Sequence, residues 1–191
     1  MQSSFDFIES VNGNKRSILY KCRWSNDDAQ RIVPELIRIL LEEDHLLVDE
    51  SLRALFVIGP PAITAAPHVA PLISSTYPIT RRLAVLTLGQ ISHQRPDICI
   101  QPITKALKHD ECCRDALRIL IFLGSKATSA LPEIVKRYES KDAKIRNLAV
   151  RAVAAIDGSS EMAHQLLTKA KTDRSNLVRL AAYKALKRLP L

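Results

Sequence analysis

The reactive side chains of this sequence lie closest together at His109, Cys112 and Cys113, with Cys99 a little upstream. Imidazole and thiolate are ligands that a zinc ion takes. The spacing argues against such a site. Neighbouring cysteines at a helix start point in different directions, and the paired Cys and His intervals of zinc sites are missing. Cys112 begins a predicted helix, where backbone N–H groups can favour a thiolate. The plainer reading is an inert, half-buried thiol. The chain has no Gly-x-Ser-x-Gly turn, no phosphate-binding Gly loop ending in Lys-Ser or Lys-Thr, and no His-Glu-x-x-His helix. No catalytic residue, metal site or cofactor is expected.

What the sequence does offer is positive charge on long side chains. The formal net charge is +8. Residues 141–191 hold 11 Lys and Arg against 4 Asp and Glu, whereas residues 1–140 hold 17 against 16. A positive field at one end suits an acidic partner. The alternative is that these charges only solubilise the end of the chain.

The elements that would position those charges recur at a nearly constant interval. Thr80–Ile91 reads as an amphipathic helix. Its Ala84 has counterparts at Ser51, Ala116, Ala149 and Ala182, at steps of 33, 32, 33 and 33 residues. Four residues on come Leu55, Leu88, Leu120, Val153 and Leu186; seven on come Ile58, Ile91, Leu123, Ile156 and Leu189. Small, large, large at i, i+4 and i+7 share one helix face. The small residue admits a second helix, and the large ones fill the space beside it. A second column, Pro34, Pro67, Cys99, Pro132 and Gln165, keeps the same steps. Two columns with one period mean a repeated, stacked supersecondary unit.

The Trp, Leu-Gly and Tyr of tetratricopeptide repeats are absent, as is the Thr-Pro-Leu-His turn of ankyrin repeats. Ile145-Arg146-Asn147-Leu148-Ala149-Val150-Arg151-Ala152-Val153 and Val178-Arg179-Leu180-Ala181-Ala182-Tyr183-Lys184-Ala185-Leu186 resemble the second helix of the short bacterial HEAT repeat, the kind also found in phycobilisome-lyase-type proteins. The resemblance covers roughly residues 27–190. It implies an all-α, right-handed α-α superhelical solenoid of about five helix pairs plus an N-terminal capping pair. Residues 1–191 would then form a single repeat domain, with a degenerate cap over 1–25 and repeats over 26–190.

Along the chain, helices 3–11 and 15–24 are expected in the cap. The competing reading is a β-hairpin about Asn12-Gly13, because Ile18, Tyr20, Cys22 and Trp24 alternate. The pairs that follow are expected at about 26–43 and 48–58, 62–75 and 79–91, 97–108 and 111–123, 127–139 and 143–156, and 160–171 and 176–188. The prolines mark the first helix of a pair and are expected to bend it. Asp44, Asp110, Asp142 and Asp173 fall in the turn inside four of the pairs, and Arg81, Arg146 and Arg179 share a position early in the second helix. The resemblance implies Asp–Arg contacts between units, interrupted where Val48 and Cys113 replace Arg.

The face of each second helix opposite the core carries Arg53, Arg82, Arg114, Arg118, Arg151, Lys184 and Lys187. Phe56, Leu86 and Ile121 lie between them. The resemblance places this face on the concave side of the solenoid. Arg beside exposed aromatic or aliphatic side chains is a composition that interfaces favour. The expected function is therefore a non-enzymatic protein-interaction module, a scaffold, regulator or antagonist, whose groove takes an acidic, partly apolar partner. The plain alternative is that curvature covers the apolar residues and the cations are merely solvated.

Nucleic acid is the second partner class, since a basic helical-repeat surface can follow phosphates. Aromatic residues are only 5% of the chain, so stacking platforms are scarce. A lyase-type or DNA-glycosylase-type enzyme is a more remote expectation, by analogy of fold alone. No run of about 18 apolar residues is present, so no membrane span is expected. Four cysteines without a disulfide-framework spacing, and an opening segment unlike a signal peptide, point to a cytoplasmic setting.

Overall fold

A computed structural model describes residues 26–42, 44–93 and 95–188 of the chain. The expected capping pair, or hairpin, lies outside the described residues, as does Leu189. Every regular element among the described residues is helical. Contacts group the chain into two compact units, divided after Pro102.

In the first unit, α1 (Asn26–Leu40) and α2 (His45–Ile58) form a helix pair. Residues 60–74 follow as a 3₁₀ turn, a four-residue helix α3 (Ala66–Val69) and a second 3₁₀ turn, and then comes α4 (Pro78–Ile91). The helix α5 (Pro96–Ala106) runs across the division. The second unit continues with α6 (Asp110–Leu123), a 3₁₀ segment, α7 (Leu131–Lys136) with a further 3₁₀ turn, α8 (Ala143–Asp157), α9 (Glu161–Ala170) and α10 (Asn176–Leu186). These bounds follow the expected pairs closely.

The expectation that proline bends the first helices holds in two of them. Pro67 and Pro132 sit in the opening turn of α3 and α7, where a missing N–H costs least. The stretches before them tighten to 3₁₀ geometry, and Ala62 and Ala127 leave the helical region altogether. Pro34 instead lies inside the intact α1, and Cys99, which has an N–H, lies inside α5.

The core follows the repeat columns. Ser51, Ala84, Ala116, Ala149 and Ala182 are buried, as are Leu55, Leu88, Leu120 and Val153, while Leu186 is half-buried near the end of α10. Within the first unit α2 packs on α4; within the second, α8 packs on both α6 and α10. The second helices therefore stack on one another inside each unit. Asp44 and Asp142 cap α2 and α8, each accepting a hydrogen bond from the backbone N–H two residues on, at 2.9 and 2.8 Å. Gly59 and Gly124 end α2 and α6 at φ of 71° and 56°, a region that side chains other than glycine's avoid.

The expected Asp–Arg ladder resolves into two kinds of contact. Arg81, Arg146 and Arg179 each donate to a backbone carbonyl of the turn just before their own helix, at Ser75, Ser140 and Asp173. Arg146 reaches the next turn as well, donating from Nε and Nη2 to the two oxygens of Asp173 at 2.9 Å each. Tyr138 donates its hydroxyl hydrogen to the same carboxylate at 3.0 Å.

Candidate interaction surface

In the second unit, the outward faces of α6, α8 and α10 border an open groove of about 580 Å³. Ile121 contributes from α6 and Arg151 from α8, while Leu177, Leu180 and Lys184 come from α10 and Arg188 from just beyond it. Leu177 and Leu180 are each 49% exposed, although a solvated helix face would place polar groups there. Among the described residues, the lining holds three cationic side chains and no carboxylate. The described lining is therefore positively charged, beside a strip of aliphatic surface.

The local sequence explains the arrangement. Arg151 and Lys184 occupy equivalent positions of successive second helices, so stacking α8 on α10 sets them side by side. Arg188 follows Lys184 by one helical turn. Asn147 is buried, and its Nδ2 donates to the Leu177 carbonyl at 3.0 Å. That bond ties α8 to the start of α10 beneath the groove.

The expected interface residues divide among different surroundings. Ile121, Arg151 and Lys184 meet in the groove. Lys187 is exposed but not among its lining residues. Arg118 is exposed and pairs with Asp115 on its own helix at 3.1 Å. Arg114 borders a separate hollow of about 540 Å³ at the turn between α7 and α8, where Lys136, Arg137 and Lys141 mix with Asp110, Glu139 and Asp142. Arg53, Phe56, Arg82 and Leu86 belong to the first unit; Arg82 and Phe56 are exposed, Leu86 is half-buried, and Arg53 approaches Glu50 at 3.6 Å. Leu177, Leu180 and Arg188 are the large or charged groove residues that the expected set omits, alongside Asn147 and several alanines. Leu177 had a signal: it falls at the register of Leu46 and Ile79, apolar positions that the structure also leaves exposed.

The thiols are placed differently. Cys99, Cys112 and Cys113 are buried. Burial pushes the Cys99 and Cys113 thiols up to about 11, away from the thiolate form. Among the described residues, no three His, Cys, Asp or Glu side chains gather as metal ligands would. No described helix is long and apolar enough to cross a membrane.

Residues 100–187 match the family model of HEAT repeats, a little under half of the chain. No curated protein matches the chain. Solved helical-repeat structures match over almost its whole length. A designed armadillo repeat protein in complex with the peptide (KR)4 is 17% identical at a TM-score of 0.72, covering 97% of this chain and 99% of that one. An engineered protein is 20% identical at 0.70, covering 98% and 96%. Computationally designed armadillo repeat proteins for modular peptide recognition are 16% identical at 0.70, covering 98% and 95%. At these identities the likeness shows the fold, an α-solenoid with HEAT-like repeats in its second half.

Proposed function

We propose that the chain is a non-enzymatic interaction module whose groove between α6, α8 and α10 takes an acidic, partly apolar protein segment. The observation that carries the reading is the lining itself: Arg151, Lys184 and Arg188 without a carboxylate, beside exposed Leu177 and Leu180. Stacked helical repeats present extended surfaces of this kind, and their chemistry sets the partner. The designed armadillo protein named above is solved with (KR)4, a basic peptide. The groove here carries the same sign as that peptide, so its partner should carry the reverse.

Fluorescence anisotropy with a labelled peptide built from Glu, Asp and Leu, against (KR)4 as the inverse-charge control, tests this reading. The acidic peptide should bind and (KR)4 should not. Arg151→Glu with Lys184→Glu should weaken binding at least about tenfold, equivalent to roughly 1.4 kcal/mol. Equal affinity for (KR)4, or a variant that binds as well as the original, would overturn it. A generic DNA duplex that outcompetes the peptide at physiological salt would favour the nucleic-acid alternative instead.

A further inference from the structure

The chemistry that the groove calls for is present elsewhere on the same chain. Residues 26–50 hold 8 Asp and Glu against 2 Arg, and residues 103–191 hold 18 Lys and Arg against 9 Asp and Glu. The acidic stretch is also where large apolar side chains come to the surface. Leu41, just after α1, is 71% exposed, and Leu46, in the first turn of α2, is 64% exposed. Between them stand exposed Glu42 and Asp44. His45 stacks on Tyr77 with ring centroids 4.2 Å apart, which draws the start of α4 and its exposed Ile79 toward the same turn. Exposed leucines on and beside one turn are apolar surface that an association can cover.

Partial pairing leaves the turn acidic. Arg38 lies 3.2 Å from Glu35 and 3.5 Å from Glu42, so one cation serves two carboxylates. Asp44 accepts from the Leu46 N–H and is itself exposed. The turn thus offers carboxylates flanked by leucines, and the groove offers cations flanked by leucines.

We infer that the partner of the groove is a second copy of this chain, whose Leu41–Leu46 turn docks by Glu42 and Asp44 against Arg151 and Lys184. The inference rests on the groove reading above. Each copy offers both a turn and a groove, so the pairing closes as a two-fold dimer where both junctions form together and runs head to tail where they do not. Opposite charges set the register, and the leucines supply the desolvated centre of the contact.

A charge-swap complementation experiment tests it. One variant, Glu42→Lys with Asp44→Asn, reverses the turn; asparagine keeps the helix cap that aspartate made. The other, Arg151→Glu with Lys184→Glu, reverses the groove. The original chain should self-associate in sedimentation velocity at about 100 µM and low salt, a concentration that populates micromolar contacts. Each variant alone should sediment as a monomer, with unchanged helical circular dichroism. An equimolar mixture should associate again, because the acidic turn of one variant meets the basic groove of the other. A monomeric original chain, or a mixture that stays monomeric, would overturn the inference. The Glu-Asp-Leu peptide assay separates the two claims: if that peptide still binds the groove, the groove reading stands and only the self-partner falls.

Discussion

At the scale of single residues, the contact between Arg146 and Asp173 is a buried, charged link between repeats. Both side chains are nearly buried, at 6% and 5% exposure, and the pairing is bidentate. The Arg146 guanidinium, helped by the Ser175 N–H and the Tyr138 hydroxyl, holds the Asp173 carboxyl down at about 2. A carboxyl held below its ordinary value contributes stability that is complete above that value and is lost as pH falls toward the folded one. The loss belongs to the window from about pH 4 down to about pH 2. Asp173→Asn should cost roughly 2 kcal/mol at neutral pH and almost nothing near pH 2. Urea midpoints across that range check it, and an acid limb identical to the parent's would sink it. Ser51 gives the opposite case. It replaces the alanine of its column and is fully buried, and its hydroxyl has no hydrogen-bond partner. Ser51→Ala should stabilise by up to about 1 kcal/mol, since it removes a polar group desolvated without compensation. A lowered urea midpoint would contradict this.

At the scale of elements, the second helices are regular and two of the first helices are not. Pro67 and Pro132 remove an N–H, and Ala62 and Ala127 leave the helical region, so those segments survive as 3₁₀ turns around short α-helices. The second helices α2 and α6 end sharply instead. At Gly124 an added Cβ would meet only the Ala155 carbonyl oxygen, at 3.6 Å, an ordinary contact. The penalty of Gly124→Ala is therefore backbone strain at positive φ, about 1–3 kcal/mol. That corresponds to a fall in Tm of a few degrees for a chain of this size, measurable by calorimetry. An unchanged Tm would mean that the turn relaxes to another backbone conformation.

At the scale of the whole molecule, charge and repeat are distributed independently. Both units are built from the same columns, yet residues 1–102 hold 10 Lys and Arg against 11 Asp and Glu, and residues 103–191 hold 18 against 9. An asymmetry of this kind acts on association more than on folding. Raising ionic strength from about 0.05 to 0.5 M shortens the Debye length severalfold. Over that range acidic-peptide binding should weaken by tenfold or so while the unfolding midpoint hardly moves. A salt-indifferent affinity would mean that Leu177 and Leu180, rather than the cations, carry the binding.

Much of this architecture was legible without coordinates. A period of 32–33 residues, small residues in register with large ones, and turn-forming Asp and Gly are local or periodic signals. They predict helix bounds and a buried column because helical geometry carries spacing directly into facing. What only tertiary structure decided is which of two equivalent surface positions faces a neighbour. Asp49 and Asn147 share their repeat position with Arg82 and Arg114, but Asp49 accepts a hydrogen bond from Thr80 and Asn147 donates one to the Leu177 carbonyl, so both are buried between stacked helices. Arg118 turns to Asp115, and Arg114 borders another hollow. A side chain's final direction depends on the helix packed beside it, and one repeat's sequence carries no record of its neighbour's side chains. The groove was therefore visible in outline from the spacing of its cations, and took its actual membership from the packing of α6, α8 and α10.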